Sequence, residues 1–325
     1  MTPTREPRGD GDDPTTDRGR TGQPGPPRPR RDVTAEGTDL DAFGPAEWGL
    51  VATSALLWGS SFLFIDVGLE TFEPTVVALA RLALGTLTLA AFPAARRPVE
   101  REDLVRVAVV GGLWLGVPLV MFPLAQQYID SSLAGMLNGA GPLISATYAA
   151  ILLRRPPRPV QIVGLAIGFT GIVVITVPTV GASPSAGLGI AFAMVALLCY
   201  PLAINVSVPL QQRYGALPVL LRGQLFALVP LALLGAAGVA GSTFAWPSAL
   251  AMVPLGVAST GLAYVAMVTL AGRVGASRGA MPIYFLPVVA IVLGVVFLDE
   301  RVELNALLGT ALVVVGAWLM SRRER

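Results

Sequence analysis

Ten apolar stretches near twenty residues each, separated by short polar breaks, constrain this chain more than any other feature. They run over about 48–69, 74–93, 104–127, 131–153, 159–178, 186–208, 217–239, 247–270, 277–298 and 303–321. A helix rising 1.5 Å per residue crosses a hydrocarbon layer of roughly 30 Å in about twenty residues. A soluble core could absorb one or two such runs, but ten need a bilayer to face. Inside hydrocarbon every backbone polar group must be paired within its own segment, so helix is the expected conformation. The expected fold class is an all-α integral membrane protein with ten transmembrane helices.

The charged residues give that arrangement a direction. All 23 basic residues are Arg, with no Lys and no His. They recur on alternate connections: Arg96, Arg97 and Arg101 on the second, Arg154, Arg155 and Arg158 on the fourth, Arg213 on the sixth, Arg273 and Arg278 on the eighth, and Arg322, Arg323 and Arg325 at the C-terminus. The first, third, fifth and seventh connections have none, and the ninth only Arg301. Positive connections stay cytoplasmic, so both termini are expected inside, which requires an even number of spans. The basic balance therefore reflects topology, and no nucleic-acid partner is expected. Residues 1–47 hold 8 Pro, 7 Gly, 7 Arg and 10 acids, and read as a disordered cytoplasmic tail. That tail lacks the apolar core of a signal peptide.

Absent residues narrow the chemistry. Without His there is no histidine base, metal ligand or proton relay. Cys199 is the sole cysteine, so an intrachain disulfide and a cysteine metal cluster are excluded. A phosphate-binding GxxxxGK[ST] run is missing, which removes ATP-driven pumping within this chain. No filter-like loop or charged ring points to an open channel.

Boundaries carry Pro or Gly, as at Pro74, Pro159, Pro178, Pro218 and Pro247. Pairs such as Gly112/Gly116 and Gly164/Gly168 read as ordinary close helix packing. Pro118, Pro123, Pro142, Pro201, Pro254 and Pro287 lie inside helices, where each removes a hydrogen bond and kinks the segment.

Two segments repeat. "SSLAGMLNGAGPLISATYAAILLRR" aligns with "ASRGAMPIYFLPVVAIVLGVVFLDE" at an offset of 145 residues. Ser132 falls on Ser277, Met136 on Met281, Pro142 on Pro287 and Leu153 on Leu298. Further on, Gly164 falls on Gly309, Ala166 on Ala311 and Gly171 on Gly316. Two repeats of five helices would occupy 48–178 and 186–321. Five is odd, so the second repeat would lie inverted, with a site near the midplane between the halves.

These residues resemble the EamA family of the drug/metabolite transporter superfamily. "ALLWGSSFLF" resembles its opening helix and "VVALARLAL", with Arg81, its second. The two segments aligned above resemble its fourth and ninth helices, each with a central Pro. "IVGLAIGFTGIVVI" and "LLGTALVVVGAWLM" resemble the helices that close each repeat. The likeness spans roughly 48–321. It implies ten helices in two inverted repeats and export of small metabolites, often amino acids or related compounds. One departure stands out: the family often has an acid ending both repeat helices, and here Glu300 is kept while Arg155 replaces the first.

Asp66 is the one acid well inside the first helix, about a turn below its outer end. Arg81 lies about seven residues, or ~10 Å, into the second helix. The two are expected to meet at similar depth, because intramembrane charges pair or line a watery cavity. Such a pair is either a static clip or a titrating carboxylate that couples proton entry to export, with Arg81 tuning it or holding a substrate carboxylate. Trp58, Phe62 and Asp66 share one helix face at i, i+4, i+8 spacing. Gln126, Asn138, Tyr148, Tyr200, Asn205, Gln224, Tyr264 and Tyr284 are polar groups at membrane positions, each able to bond between helices or to contact a ligand. Asn138 and Tyr284 stand out beside Pro142 and Pro287, in helices the resemblance places around the cavity. Arg222 reads as a snorkelling residue at the inner end of its helix.

The expected function is a secondary transporter exporting a small metabolite across the bacterial cytoplasmic membrane by alternating access. It would need no cofactor and no metal. Its expected partners are a small-molecule substrate and the lipid bilayer, with protons a candidate coupling ion and a homodimer a candidate assembly. The rival is a membrane-embedded transferase, which would need a His, an acidic metal cluster or an activated nucleophile.

Overall fold

The computed structural model describes residues 44–154, 156–274 and 281–321. The expected tail, apart from residues 44–47, lies outside the described residues. So do Arg155, Ser277, Arg278, Arg322, Arg323, Arg325 and the side chain of Arg273.

All regular structure among the described residues is helical. The first helix, α1 (Pro45–Leu69), starts three residues earlier than expected. Pro45 suits a first helical position, where its missing N–H has no helical partner, and Glu47 accepts the Gly44 N–H at 3.0 Å. Next come α2 (Pro74–Ala90), then α3 (Leu104–Gly111) and α4 (Val117–Gln126), joined by a π turn over Gly112–Gly116. The fourth apolar stretch divides into α5 (Ser131–Asn138) and α6 (Gly141–Leu152). Pro142 has no N–H to give the Asn138 carbonyl, so the helix breaks there.

The chain continues through α7 (Pro159–Ala182), α8 (Pro184–Tyr214) and α9 (Ala216–Gly238). A longer run follows: α10 (Trp246–Val253), a π segment (Pro254–Leu262) and α11 (Ala263–Val274). The last helices are α12 (Pro282–Phe297) and α13 (Leu304–Ser321).

Proline has three outcomes. Pro118 and Pro254 sit at π turns and Pro142 at the break, whereas α4, α8 and α12 continue through Pro123, Pro201 and Pro287. The boundary expected at Pro178 is overturned, since α7 continues to Ala182. One lost hydrogen bond near a helix end is not enough to stop a segment that lies in lipid.

Among the described residues six helical runs are long and apolar enough to cross a membrane: Pro45–Leu69, Arg101–Gln126, Pro159–Gly181, Ser185–Tyr214, Ala216–Gly241 and Trp246–Leu270. Pro74–Ala90, Pro282–Phe297 and Leu304–Leu319 are shorter apolar helices. Their outward faces carry exposed Leu87, Ile151, Val229, Leu233 and Val296. An apolar exterior on this scale is stable only where lipid is the solvent.

The helices meet through small residues. A Cβ on Gly171 would lie 2.5 Å from the Gly309 carbonyl oxygen, and one on Gly316 would lie 2.5 Å from that of Gly164. The backbones of α7 and α13 thus touch directly, and the two contacts exchange under the 145-residue offset. Two other features recur at that offset. The π turn at 112–116 matches 257–261, within the second π segment. Arg154 and Asp299, at the ends of α6 and α12, both adopt the left-handed conformation that non-glycine residues rarely take, at φ 53° and 54°.

Candidate functional site: a cavity among broken helices

A cavity of about 60 Å³ lies among seven helical runs. Trp58, Ser61 and Phe62 line it from α1 and Arg81 from α2. The first π turn supplies Trp114, α4 supplies Phe122 and α5 supplies Asn138. From α6 come Gly141, Pro142 and Ser145, from α8 Tyr200, Pro201 and Ile204, from α11 Tyr264 and Met267, and from α12 Ile283 and Leu286. The volume is several times the roughly 10–15 Å³ that one buried water requires. A π turn and a helix break both fall in the wall, where freed backbone groups can be satisfied at membrane depth.

The wall is largely aromatic. Trp58 and Trp114 both meet the Tyr264 ring edge to face, at 5.4 and 5.8 Å between centroids. Phe122 packs edge to face on Phe62 at 5.4 Å and stacks with Tyr200 at 6.0 Å.

Among the described residues Arg81 is the one charged residue lining the cavity, and it is 4% exposed. Its Nε donates to Thr260 Oγ1 at 2.8 Å. The Thr260 hydroxyl donates in turn to the Leu255 carbonyl at 3.1 Å. The expected pair with Asp66 does not form. Asp66 is half-buried near the C-terminal end of α1, with Glu300, Glu70 and Asp130 as its charged neighbours. The expectation failed because consecutive helices are not the closest ones here: α2 packs chiefly on the second π segment and α9, and only lightly on α1.

Of the residues expected in the pocket, Trp58, Phe62, Arg81, Asn138, Tyr200 and Tyr264 line it, together with Pro142. The others stand behind or away from the wall. Gln126 Nε2 donates to the Phe62 carbonyl at 2.9 Å, and Gln224 Nε2 to the Thr260 carbonyl at 3.4 Å. Asn205 Nδ2 clasps α8 to α6 through the Ser145 carbonyl and Oγ, at 3.1 and 3.0 Å. Tyr284 Oη donates to the Ala317 carbonyl at 3.1 Å and joins α12 to α13. Tyr148 packs against the apolar core, and Pro287 sits against Gly139. In hydrocarbon these amides and hydroxyls bond to backbone carbonyls of neighbouring helices. Trp114 and Phe122 went unanticipated, although they stand at i, i+8 spacing on either side of Pro118.

Two polar clusters lie outside the cavity. On one, Glu300 accepts hydrogen bonds from Ser131 N (2.9 Å), Ser131 Oγ (2.7 Å) and Ser132 N (3.0 Å), capping α5 from 168 residues away. Asp130 precedes that cap. Crowding by the neighbouring helix ends, and then the charge of Glu300, push the Asp130 carboxyl above its ordinary value. On the other, Asp103 accepts from Arg213 Nη1 at 2.7 Å and Tyr214 Oη at 2.8 Å, and pairs with Arg106 at 3.4 Å. Arg222 Nη2 reaches the Arg96 carbonyl at 3.4 Å.

Apolar helices around an aromatic, singly charged cavity define a membrane protein built to receive a small molecule. The chain belongs to the EamA-like transporter family, whose model matches residues 48–177 and 187–322. It is 30% identical to a probable terminal-alkyne amino-acid exporter of Streptantibioticus cattleyicolor, over 86% of this chain and 94% of that protein. An uncharacterised transporter of Archaeoglobus fulgidus is 25% identical, over 86% of this chain and 99% of that protein. A solved crystal structure superposes with a TM-score of 0.58 at 19% identity, over 84% of this chain and 96% of that one.

Proposed function

We propose that the protein is a secondary transporter, not an enzyme, exporting a small metabolite of the amino-acid type across the bacterial cytoplasmic membrane. The observation that carries this reading is the cavity itself. Its wall draws on α1, α2, the first π turn, α4, α5 and α6 and on α8, α11 and α12, so it straddles the two segments matched by the family. A site between halves that rock about it is the alternating-access arrangement. The wall offers aromatic faces, a guanidinium, an amide and hydroxyls. It has no nucleophile paired with a base, which speaks for transport over a transferase. The relative that exports an amino acid supports the same substrate class.

Ten spans in two inverted repeats, 48–178 and 186–321, with both termini cytoplasmic, form the proposed layout. The duplicated π turns, the paired left-handed residues and the exchangeable α7–α13 contacts support it. Protons are the proposed coupling ion. Asp66, half-buried among Glu300, Glu70 and Asp130, is the carboxylate suited to the task in a chain without His. A homodimer is the proposed assembly, and residues 1–47 are a proposed cytoplasmic tail.

The test uses purified protein in liposomes loaded with a mixed pool of amino acids and related metabolites. Loss of each compound is followed by mass spectrometry under an imposed pH gradient. Selective, protein-dependent loss of one compound class is expected. Retention of every compound in a wide pool would sink the export reading.

A further inference from the structure

We propose that the cavity recognises its ligand through a carboxylate gripped by Arg81, with an apolar or unsaturated body against the aromatic wall and no need for a free ammonium. This rests on the transport reading above.

A guanidinium carries five N–H donors in a planar fork. Only the Nε of Arg81 is engaged within the protein: no second hydrogen bond and no ion pair reaches Arg81 among the described residues. Nor are its terminal nitrogens sealed away. The buried polar atoms without a partner are Ser54 Oγ, Thr71 Oγ1, Gln126 Oε1 and Gln224 Oε1, and none belongs to Arg81. The free edge of the fork therefore opens on the cavity that Arg81 lines. An unpaired buried cation carries a penalty of several kcal/mol, which a bound anion removes. Two terminal nitrogens at a fixed spacing match the two oxygens of a carboxylate.

Thr260 orients that edge. Its hydroxyl is itself tied to the Leu255 carbonyl, so the Nε side of the fork is held before any ligand arrives. Among the described residues the lining contains no Asp or Glu, and its net charge is that of Arg81. A single carboxylate neutralises it, whereas a phosphate would leave surplus negative charge in a low-dielectric site. A ligand ammonium would find, among the described lining residues, aromatic rings, the Asn138 amide and the hydroxyls of Ser61, Ser145, Tyr200 and Tyr264, but no carboxylate.

The experiment measures binding to purified full-length protein through the fluorescence of Trp58 and Trp114 and through thermal shift. Three bodies serve as probes: norleucine, 2-amino-4-pentynoic acid and phenylalanine. Each is offered as the amino acid, its N-acetyl derivative and its amide. The amino acid and the N-acetyl acid are expected to bind within about threefold of each other, and the amide at least tenfold more weakly. Arg81→Gln is expected to lose tenfold or more for both acids and nothing for the amide, while Arg81→Lys retains part of the acid preference. Elution profile and unfolding midpoint monitor the fold of each variant. Amides binding as tightly as acids, undiminished acid binding by Arg81→Gln, or no binding by any probe would overturn the inference. Acid-selective binding without efflux would sink the transport reading alone, and efflux without acid preference would sink this inference alone.

Discussion

Arg81 shows what a single residue reveals before and after folding. A lone Arg in the second apolar stretch marks itself as functional by its cost in hydrocarbon. Its partner is another matter. Asp66 is the nearest intramembrane acid in sequence, yet Arg81 bonds to Thr260, 179 residues away. Thr260→Val removes that acceptor while leaving the charge in place. A hydrogen bond to a charged group contributes about 1.5–3 kcal/mol. Thr260 only orients Arg81, so part of that energy reaches the ligand, and substrate affinity is expected to fall by several-fold to about tenfold, less than for Arg81→Gln, as read from the KM for efflux. Asp66→Asn separates coupling from recognition. It is expected to abolish the effect of a pH gradient on efflux while leaving gradient-free exchange, and full proton-driven transport by this variant would remove Asp66 from the coupling role. The polar residues that missed the cavity share one physical reason. Gln126, Asn205, Gln224 and Tyr284 bond to backbone carbonyls, and which carbonyls lie in reach depends on helix neighbours that no local pattern encodes.

Helices that touch through bare backbone leave no room for a methyl group. Gly316→Ala would drive a Cβ into the Gly164 carbonyl and the Gly168 backbone. Overpacking of this kind costs about 1–3 kcal/mol, so a lower unfolding midpoint in detergent is expected, with little change at exposed Gly181 as a control. The cap on α5 behaves differently. Glu300→Gln weakens three charge-assisted bonds to Ser131 and Ser132 and should cost about 1 kcal/mol, the usual worth of an N-cap. Beside it, Asp130 gives a pH signature. Its folded carboxyl holds a proton more tightly than the unfolded one, so its contribution is favourable in acid and is lost as pH rises through its raised value. Asp130→Asn should therefore melt higher than the parent at neutral pH, with the gap closing on acidification below about pH 4. An equal or lower midpoint at neutral pH would show that the carboxylate stabilises the loop instead.

At the scale of the whole molecule, the charge pattern makes a prediction that labelling decides. In a Cys199→Ser background, a cysteine at Ser242 is expected to react with an impermeant maleimide in intact cells. One at Val99 should react only after permeabilisation, and the reverse pattern would invert the proposed orientation. The apolar periodicity, the proline and glycine punctuation and the 145-residue self-similarity were legible along the chain because each is set by local backbone physics and by the thickness of the bilayer. Helical class, membrane residence and family follow from them. Trp58, Phe62, Arg81, Asn138, Tyr200 and Tyr264 were legible as cavity candidates too, since an intramembrane charge or polar group is costly unless used. The tertiary structure alone decided that α2 leans on the second π segment instead of α1, and so took Arg81 from Asp66 and turned it towards the cavity. The physical reason is that lipid gives no apolar preference between helices. Close packing of small residues chooses the neighbours, and that choice depends on the shape of every other helix in the bundle.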